Sequence, residues 1–483
     1  MMQTNSPGIY ELLAQDFVGF AELAFRHLNP TTDYAHNWHI DVIAEKLEDC
    51  RRGDTRRLII NMPPRQLKSH LVSVAYTAWA LGHDPSLQII CVSYGQDLSE
   101  KLARDAREIM QSSWYKRIFP TRLSATKQAV AEFVTTRQGM RLATSVGGVL
   151  TGRGADLIIL DDPLKPEDAM STTQRKASNE WYDNTLYSRL NNKQNGTIII
   201  VMQRLHEDDL VGHVLEKEPW EHLALAAIAE TDEGHRYKTP LGPQRTIRRT
   251  GEALHPEREP VSTLARIRRS LGEYNFASQY QQNPVPVEGA LVKASWFKTY
   301  DADTLPDSFD QIIQSWDTAT KASELNDYSV CVTMGVKDKN IYVLDVFRRR
   351  LEYPDLKRAV IEKANAYPSP NILIEDKSSG TQLIQELNQF GLRNVTAVTP
   401  TGDKLMRLHA QTATIENGYL LLPKETPWLT DYVRELTSFP GSKHDDQVDA
   451  TSQALKWINE PIPGMGLYLY MKEQFEKSRG FRE

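Results

Sequence analysis

Residues 58–70 read LIINMPPRQLKSH. An apolar, β-prone run leads into a proline-stiffened loop, then Lys68 and Ser69, and then a segment with a helical pattern. This order is the layout of a phosphate-binding loop, in which backbone N–H groups and a helix N-terminus meet a polyphosphate. Neither of the usual glycines is present, because Met62 and Leu67 occupy their places. The loop is therefore either a degenerate nucleotide site or a coincidence, and other parts of the chain must decide.

The composition is that of a large globular protein. A length of 483 residues is too great for one ordinary core and predicts two or three domains. The sequence has no apolar run long enough to cross a bilayer and no signal peptide at its start, so we expect no membrane association. Three widely separated cysteines favour a reducing compartment over a disulfide framework or a cysteine-based zinc site.

Charge is unevenly distributed along the chain. The net charge of −6 does not by itself indicate a nucleic-acid binder. Basic clusters nevertheless occur at 245–249, 266–269 and 348–350. Each is interpreted by default as a solvated surface, and as a phosphate-contacting patch only where a DNA-processing site lies nearby.

Two regions alternate between short apolar runs and helical patterns, which predicts two α/β domains, the first of them built around a mostly parallel sheet. In the first region, strands are predicted at 58–61, 87–93, 157–160 and 197–202. In the second, strands are predicted at 311–317, 329–336, 340–347 and 371–375, and helices at 381–390 and 446–457. The predicted divisions are a helical lead-in (1–50), a first domain (51–230), a connector (231–290) containing a helix at 261–271, a second domain (291–465) and a charged tail (466–483).

The run LIILDDP at 157–163 supplies partners for the phosphate loop. It is an apolar strand that delivers Asp161 and Asp162 at its C-terminal end. One carboxylate can organise Mg²⁺ and the next can orient an attacking water, as in P-loop nucleotide hydrolases. A buried strand ending in a turn explains the same letters equally well. The upstream Lys68–Ser69 pair favours the functional interpretation.

Further single residues are candidates for the same site. Gln203 follows the strand at 197–202, where a polar side chain could sense a terminal phosphate. Arg153, in a flexible Thr-Gly-Arg-Gly loop, or Arg65 could act as an arginine finger, in the same subunit or toward a neighbour. Trp38 could pack on a nucleotide base, although a core tryptophan at a helix start is equally compatible with the sequence.

The second half carries acids where strands and a helix meet. Asp317 and Glu375 end predicted strands, while Asp445, Asp446 and Asp449 open a predicted helix. Such acids can converge on a pair of Mg²⁺ or Mn²⁺ ions roughly 3.5–4 Å apart and cleave a phosphodiester. A favourable helix dipole explains one helix acid but not the two strand-end acids.

Taken in order, these motifs resemble those of a tailed-bacteriophage terminase large subunit. The resemblance covers nearly the whole chain, and the ordered set is far more specific than any one motif. The segments that carry it are 63–69, 151–156, 161–163, 203–210 and 276–284, followed by Asp317, Glu375 and 444–446.

The resemblance implies a P-loop ATPase of the additional-strand, conserved-glutamate type, followed by a nuclease domain of RNase H-like fold. It implies ATP-driven translocation of double-stranded viral DNA into a procapsid and metal-dependent endonucleolytic cutting of concatemeric DNA. Two rival functions are an ATP-dependent repair or recombination nuclease, which would unwind DNA without a portal, and a non-catalytic assembly factor.

The resemblance also implies roles for individual residues. The phosphate-loop residues expected to bind ATP are Pro64, Arg65, Gln66, Leu67, Lys68 and Ser69. Ser69 and Asp161 would hold Mg²⁺, Asp162 stands where the family usually has its catalytic glutamate, and Gln203 belongs to the coupling motif. Asp317, Glu375 and Asp446 correspond to the nuclease triad, with Asp445 and Asp449 as alternative metal ligands.

The implied partners are double-stranded DNA, the portal protein and the small terminase subunit. A ring of identical subunits on the portal is expected, and the isolated chain can be monomeric. The implied cofactors are ATP and Mg²⁺, with Mn²⁺ as a substitute in the nuclease site. The expected location is the cytoplasm of the bacterial host, transiently on the procapsid and not in the mature virion.

Two departures from the family pattern affect the ATPase site. Leu67 replaces the glycine expected before the lysine, so the loop lacks that residue's freedom to adopt positive φ. Asp162 is one methylene shorter than glutamate, so the attacking water must be held closer or through a second water.

Overall fold

The computed structural model describes residues 7–150, 152–284, 291–318, 328–377, 379–392, 394–441 and 444–460. The chain divides into two compact units, Met1–Pro286 and Val287–Glu483. The predicted tail at 466–483 lies outside the described residues. Within the described ranges, none of the helices combines the length and the apolar character needed to cross a membrane.

The first unit alternates strands and helices around one large sheet. Its helices are α1 Pro7–Leu13, α2 Phe17–Leu28, α3 Trp38–Arg52, α4 Tyr76–His83, α5 Gln96–Gln111, α6 Tyr115–Ile118, α7 Thr172–Trp181, α8 Leu210–Leu215, α9 Val261–Leu271 and α10 Glu273–Gln279. Its strands are β1 Arg57–Asn61, β2 Gln88–Ser93, β3 Leu123–Gln128, β4 Glu132–Thr135, β5 Met140–Ser145, β6 Leu157–Asp161, β7 Thr197–Met202, β8 Glu221–Ala224, β9 Glu233–Thr239 and β10 Gly242–Arg248. A π-helix, His70–Ala75, leads directly into α4.

The strand order of the main sheet is β3-β4-β5-β2-β6-β7-β1-β8. The strands from β5 to β8 in this order pair in parallel, and β3 and β4 form an antiparallel edge. Strand β7 lies between β1, which leads into the phosphate loop, and β6, which ends in Asp161. The carboxyl ends of these three strands therefore meet at one edge of the sheet, where open α/β sheets bind their ligands.

The helical lead-in belongs to the core of the first unit. Phe20 of α2 and Ile40 and Leu47 of α3 are fully buried, and they share one hydrophobic cluster with Trp79 of α4 and Ile60 of β1. Each such side chain stabilises the fold by about 1.5–3 kcal/mol through burial. The expected division at residue 50 is therefore no boundary between compact units.

The expected connector is more ordered than its Gly-, Pro- and Arg-rich sequence indicates. Strands β9 and β10 form an antiparallel hairpin, and α9 has the predicted bounds of 261–271. Leu264 and Phe276 pack with Tyr280 in a small apolar cluster. The residues at 285–290 lie outside the described part of the chain. Most of the connector thus falls within the first unit.

The second unit is built on another mixed sheet. Its strands are β11 Lys298–Tyr300, β12 Gln311–Asp317, β13 Ser329–Lys337, β14 Asn340–Arg349, β15 Asn371–Glu375, β16 Val395–Val398 and β17 Leu420–Pro423. Its helices are α11 Tyr353–Asn365, α12 Ser379–Gln389, α13 Lys404–His409, α14 Thr412–Glu416, α15 Leu429–Ser438 and α16 Asp446–Asn459. The strand order is β11-β17-β14-β13-β12-β15-β16, with β12, β13 and β14 antiparallel and β12, β15 and β16 parallel. Helix α16 packs its apolar face, including Val448 and Leu455, against β12 and β13.

Candidate active sites

The phosphate loop has positive φ at two residues that are not glycine. Arg65 has a φ of 64° and Leu67 a φ of 66°, both in the left-handed region. This conformation costs roughly 1–2 kcal/mol for each residue that carries a Cβ. Leu67 offsets part of this cost because its side chain packs against the main hydrophobic cluster. The replacement of the expected glycine by Leu67 therefore places backbone strain in the loop.

A buried carboxylate stands directly behind the loop. Asp161 ends β6, and it accepts hydrogen bonds from the hydroxyls of Ser69 at 2.9 Å and Ser73 at 2.5 Å. Burial, followed by the neighbouring charge of Asp162, raises the pKa of Asp161. Ser73 is not among the residues predicted from the sequence. Its spacing of four from Ser69 is a signal for it, because residues at this spacing lie on one helix face. A hydroxyl beside a carboxylate is the donor set that P-loop sites offer to Mg²⁺.

The lysine of the loop is paired with the second acid. The ammonium of Lys68 lies 3.1 Å from Asp162, and Lys68 is buried. Asp162 has a φ of 46° and accepts a hydrogen bond of 3.3 Å from the backbone N–H of Gln203. The side-chain oxygen Oε1 of Gln203 is buried without a hydrogen-bond partner among the described residues. The predicted loop, acid and coupling residues are thus brought together at one point.

These residues open onto a cleft of about 880 Å³. Its polar side includes Arg65, Lys68, Ser69, Asp162 and Gln203. Its apolar side includes Phe25, Leu28, Leu98 and Leu102. A volume of this size with convergent polar groups and an apolar flank is typical of a ligand site.

Three of the predicted residues point elsewhere. Trp38 is not part of the described cleft lining, and its indole stacks on His235 with ring centroids 4.6 Å apart, which supports the core-packing alternative. Arg153 pairs with Glu132 through two hydrogen bonds of 2.8 Å. Gln66 is buried, and its Nε2 donates to Glu259 at 2.7 Å instead of facing the cleft. Of the two candidate finger arginines, Arg65 is the one that lines the cleft.

Arg258 lines the same cleft, and sequence reasoning did not select it. It lies in the segment between β10 and α9, and its side chain is exposed. The adjacent Glu259 holds Gln66 of the phosphate loop, so this segment contacts both the loop and the space in front of it. No spacing rule marks such a residue, because it lies almost two hundred positions from the loop.

In the second unit, two predicted acids end neighbouring parallel strands. Trp316 of β12 pairs with Ile374 of β15, so the next residues, Asp317 and Glu375, stand side by side at one sheet edge. Asp449 lies one turn inside α16 and is 6% exposed. Burial, and then the charges of Asp449, Glu375 and Asp446 in that order, raise the pKa of Asp317 well above its ordinary value. The second unit thus gathers its acids around Asp317.

The acids of helix α16 differ in their electrostatic surroundings. Burial raises the pKa of Asp446 to about 6, followed by the charges of Glu435 and Asp445. The charge of Asp449 raises the pKa of Asp317 more than the charge of Asp446 does. Asp449 is therefore a candidate for the third acid beside the predicted Asp446.

Helix α13 supplies two cations that sequence reasoning did not select. The ammonium of Lys404 lies 2.6 Å from Asp445 and 2.7 Å from Asp449, and the guanidinium of Arg407 lies 2.6 Å from Asp449. Burial acts to lower the pKa of Lys404, but hydrogen bonds to Asp445 and Asp449 raise this pKa above its ordinary value. These cations offset the repulsion among the acids.

The donor set of this cluster consists of carboxylate oxygens, which suits Mg²⁺ or Mn²⁺. Among the described residues, one group of three metal-ligating side chains has all of its ligand atoms within 4.8 Å of one another. This group is His206, Glu207 and Asp208. In the described part of the chain, the acids around Asp317 do not form such a group of three.

Comparison with known proteins agrees with the fold of both units. Residues 314–456 match the family model described as a terminase RNaseH-like domain. The large terminase of a thermophilic bacteriophage is similar to the chain, with a TM-score of 0.53, 11% identity, and coverage of 86% of this chain and 98% of that chain. Its complex with ADP has a TM-score of 0.51, 10% identity and coverage of 84% and 97%, and its complex with ATP-γ-S has values of 0.50, 12%, 85% and 98%. No curated protein matches the chain.

These matches confirm the resemblance to large terminases and the predicted fold class. The similarity to solved structures extends over both units, and the family model covers most of the second unit.

Proposed function

We propose that the chain is a large terminase subunit that translocates double-stranded viral DNA into a procapsid by hydrolysing ATP and cuts concatemeric DNA with divalent cations. One observation carries the proposal. A single chain holds a phosphate loop facing Asp161 and Asp162 in one unit and the Asp317–Glu375–Asp449 cluster in the other.

In the first unit, the cleft is proposed to bind ATP with its phosphates at the loop and its base at the apolar flank. Ser69 and Asp161 would hold Mg²⁺, which neutralises negative charge on the phosphates. The pairing of Lys68 with Asp162 means that phosphate oxygens compete for the lysine. Once Lys68 turns to the phosphate, Asp162 is free to accept a hydrogen bond from the attacking water.

The pairing of Asp162 with the backbone of Gln203 links this exchange to β7. Oε1 of Gln203 is buried and has no hydrogen-bond partner among the described residues, so we expect the carboxamide to turn toward a new donor when a ligand fills the cleft. Arg65, which belongs to the loop and lines the cleft, is proposed as the arginine finger within the same subunit. Arg153, held by Glu132 at 2.8 Å, could serve only a neighbouring subunit.

In the second unit, Asp317, Glu375 and Asp449 are proposed to hold Mg²⁺, with Mn²⁺ as a substitute. Bound divalent ions would activate water and stabilise the leaving oxygen of a phosphodiester. Before a divalent ion binds, Lys404 and Arg407 offset the negative charge of Asp445 and Asp449 through direct ion pairs. Asp445 and Asp446 would then act as flanking acids that tune the site.

The proposed partners are double-stranded DNA, the portal protein and the small terminase subunit, with a ring of identical subunits forming on the portal. The proposed site of action is the cytoplasm of the bacterial host, on the procapsid during packaging.

The test is a paired assay of DNA-stimulated ATP hydrolysis and of plasmid cleavage with Mn²⁺ on one preparation. We expect the wild type to show both activities, Lys68→Ala to lose only hydrolysis and Asp317→Ala to lose only cleavage. Strand separation without any requirement for a portal would favour a repair or recombination nuclease. Absence of both activities in the wild type would overturn the proposal.

A further inference from the structure

The basic cluster at 348–350 ends β14 beside the nuclease acids. Arg349 pairs with Ser329 across the strands, which sets Tyr328 opposite Arg350. Because side chains alternate along a strand, Arg348 and Arg350 lie on one side and Arg349 on the other. Arg348 lies 3.5 Å from Glu435, which accepts a hydrogen bond from the backbone N–H of Gln447, the residue after Asp446. The proposed nuclease site therefore lies near this basic cluster, which favours its interpretation as a phosphate-contacting patch.

Tyr328 organises the two arginines on its side of the sheet. The guanidinium carbon of Arg348 lies 4.1 Å from the centre of the Tyr328 ring, and that of Arg350 lies 4.5 Å from it. His444, just before the acids of α16, meets the same ring edge-on at 5.5 Å. A guanidinium stacked on an aromatic face keeps its N–H groups free at its edge, where they fit the oxygens of a phosphate.

The two arginines differ in what else they contact. Arg348 lies 3.5 Å from Glu435, a buried carboxylate that also accepts 2.7 Å and 2.6 Å hydrogen bonds from Gln447. Arg350 is exposed and has no ion pair within the described ranges. Arg348 is therefore held in place by Glu435, whereas the N–H groups of Arg350 are available for a ligand.

A small pocket next to this surface does not compete for the same ligand. The pocket has a volume of about 360 Å³, and Arg348, Arg434 and His444 line it together with Asp431 and Glu435. Arg434 is paired with Asp431, and Arg348 with Glu435, so the charges of the pocket cancel. An anion is better placed at the exposed edge of Arg350 than inside the pocket.

We propose that Tyr328, Arg348, Arg350 and His444 form a DNA-backbone surface, the arginine–tyrosine platform, that presents a phosphodiester strand to the acids of the second unit. Arg350 contacts a phosphate, and Tyr328 and Arg348 position it. This inference rests on the proposed nuclease function. A cluster of carboxylates repels DNA, and a chain with a net charge of −6 needs local cations to bring the backbone close.

The first experiment measures the affinity of the full-length chain for a DNA duplex in EDTA at several salt concentrations. For Arg350→Ala we expect several-fold weaker binding and a slope of log K against log salt that is smaller by about 1, as for one lost phosphate contact. Arg349→Ala removes the same charge one residue away on the opposite side of the strand, and it is the matched control, expected to keep the wild-type slope. Equal slopes for the two variants would overturn the proposal.

The second experiment separates positioning from chemistry. In plasmid cleavage with Mn²⁺, Arg350→Ala and Tyr328→Ala are expected to raise KM and leave kcat nearly unchanged, and Tyr328→Phe to restore the wild-type KM because the ring is retained. A fall in kcat alone would contradict the platform. Thermal unfolding of each variant shows that the chain is folded.

The two proposals fail in different ways. If the wild type does not cut DNA, the nuclease function fails while the salt slopes can still be compared. If the wild type cuts DNA and Arg350→Ala binds and cuts as the wild type does, only the platform fails.

Discussion

The two acidic sites of this chain are assembled differently. In the first unit, Asp161 and Asp162 are held by the loop that meets the ligand, through Ser69, Ser73 and Lys68. In the second unit, Lys404 and Arg407 hold Asp449 from a separate helix. The nucleotide site is therefore preorganised by hydrogen bonds, whereas the nuclease site is balanced by protein cations until divalent ions bind.

The largest expected effect concerns the third acid of the nuclease site. Asp449 is the helix acid whose charge raises the pKa of Asp317 most. We therefore expect Asp449→Asn to reduce plasmid cleavage about a hundredfold or more, the order of magnitude lost with one electrostatic group of an active site. Asp446→Asn, the matched control in the same helix turn, should reduce the cleavage rate less than Asp449→Asn does. Cleavage rates with saturating Mn²⁺ distinguish the two. A larger loss for Asp446→Asn would reverse the assignment.

The second prediction concerns pH. Burial and neighbouring acids raise the pKa of Asp317, and burial raises that of Asp446 to about 6. A carboxyl with a raised pKa is protonated and neutral at low pH, and a divalent ion must displace its proton. Mn²⁺ affinity should therefore rise as the pH increases from 5 to 8, by up to about tenfold per pH unit for each displaced proton.

Calorimetry in two buffers of different ionisation enthalpy measures the protons released on Mn²⁺ binding. Asp317→Asn should release fewer protons than the wild type. An affinity that is constant over this pH range would show that the acids are already ionised, against the electrostatics of the cluster.

The third prediction tests the balancing role of Lys404. Lys404→Met keeps the length of the side chain but removes the ammonium that lies 2.6 Å from Asp445 and 2.7 Å from Asp449. In EDTA the unfolding free energy should fall by about 1 kcal/mol, a magnitude limited by the partial exposure of the lysine. Mn²⁺ should bind several-fold more tightly because no protein cation competes with it. Weaker Mn²⁺ binding would instead indicate that Lys404 supports the bound ions.

The smallest expected effect concerns the strained loop. Leu67 has a φ of 66°, so Leu67→Gly removes the strain and should leave kcat for ATP hydrolysis within about threefold of the wild type. Leu67→Ile places a β-branched side chain in the same conformation and should destabilise the loop by about 1–2 kcal/mol. The affinity for ATP-γ-S measures the difference. Equal affinities for both variants would show that the left-handed conformation does not matter for binding.

The sequence predicted the elements that carry strong local patterns. The strands at 197–202, 311–317 and 371–375 and the helix at 261–271 have the predicted bounds. The hairpin of β9 and β10 was missed, because polar residues follow one another along both strands and no apolar alternation marks them. Apolar periodicity reports burial, so elements with little buried surface give little signal.

The site was predictable where motifs follow strands and less so elsewhere. Lys68, Asp161 and Gln203 meet because their strands are neighbours, a consequence of strand order. The spacing of Asp446 and Asp449 shows a shared helix face, but only packing decides which acid faces β12. Lys404 and Arg258 come from distant segments that no local pattern connects to a site.

Hydrogen exchange of the full-length chain tests the central claim of two separate sites most directly. Mn²⁺ alone should protect peptides covering 371–377 and 444–452, and leave the phosphate loop at 62–75 unchanged. Mg²⁺ with ATP-γ-S should protect 62–75 and the segment around 258. Protection of the loop by Mn²⁺ alone, or unchanged exchange at 371–377 and 444–452 when Mn²⁺ is added, would contradict the account.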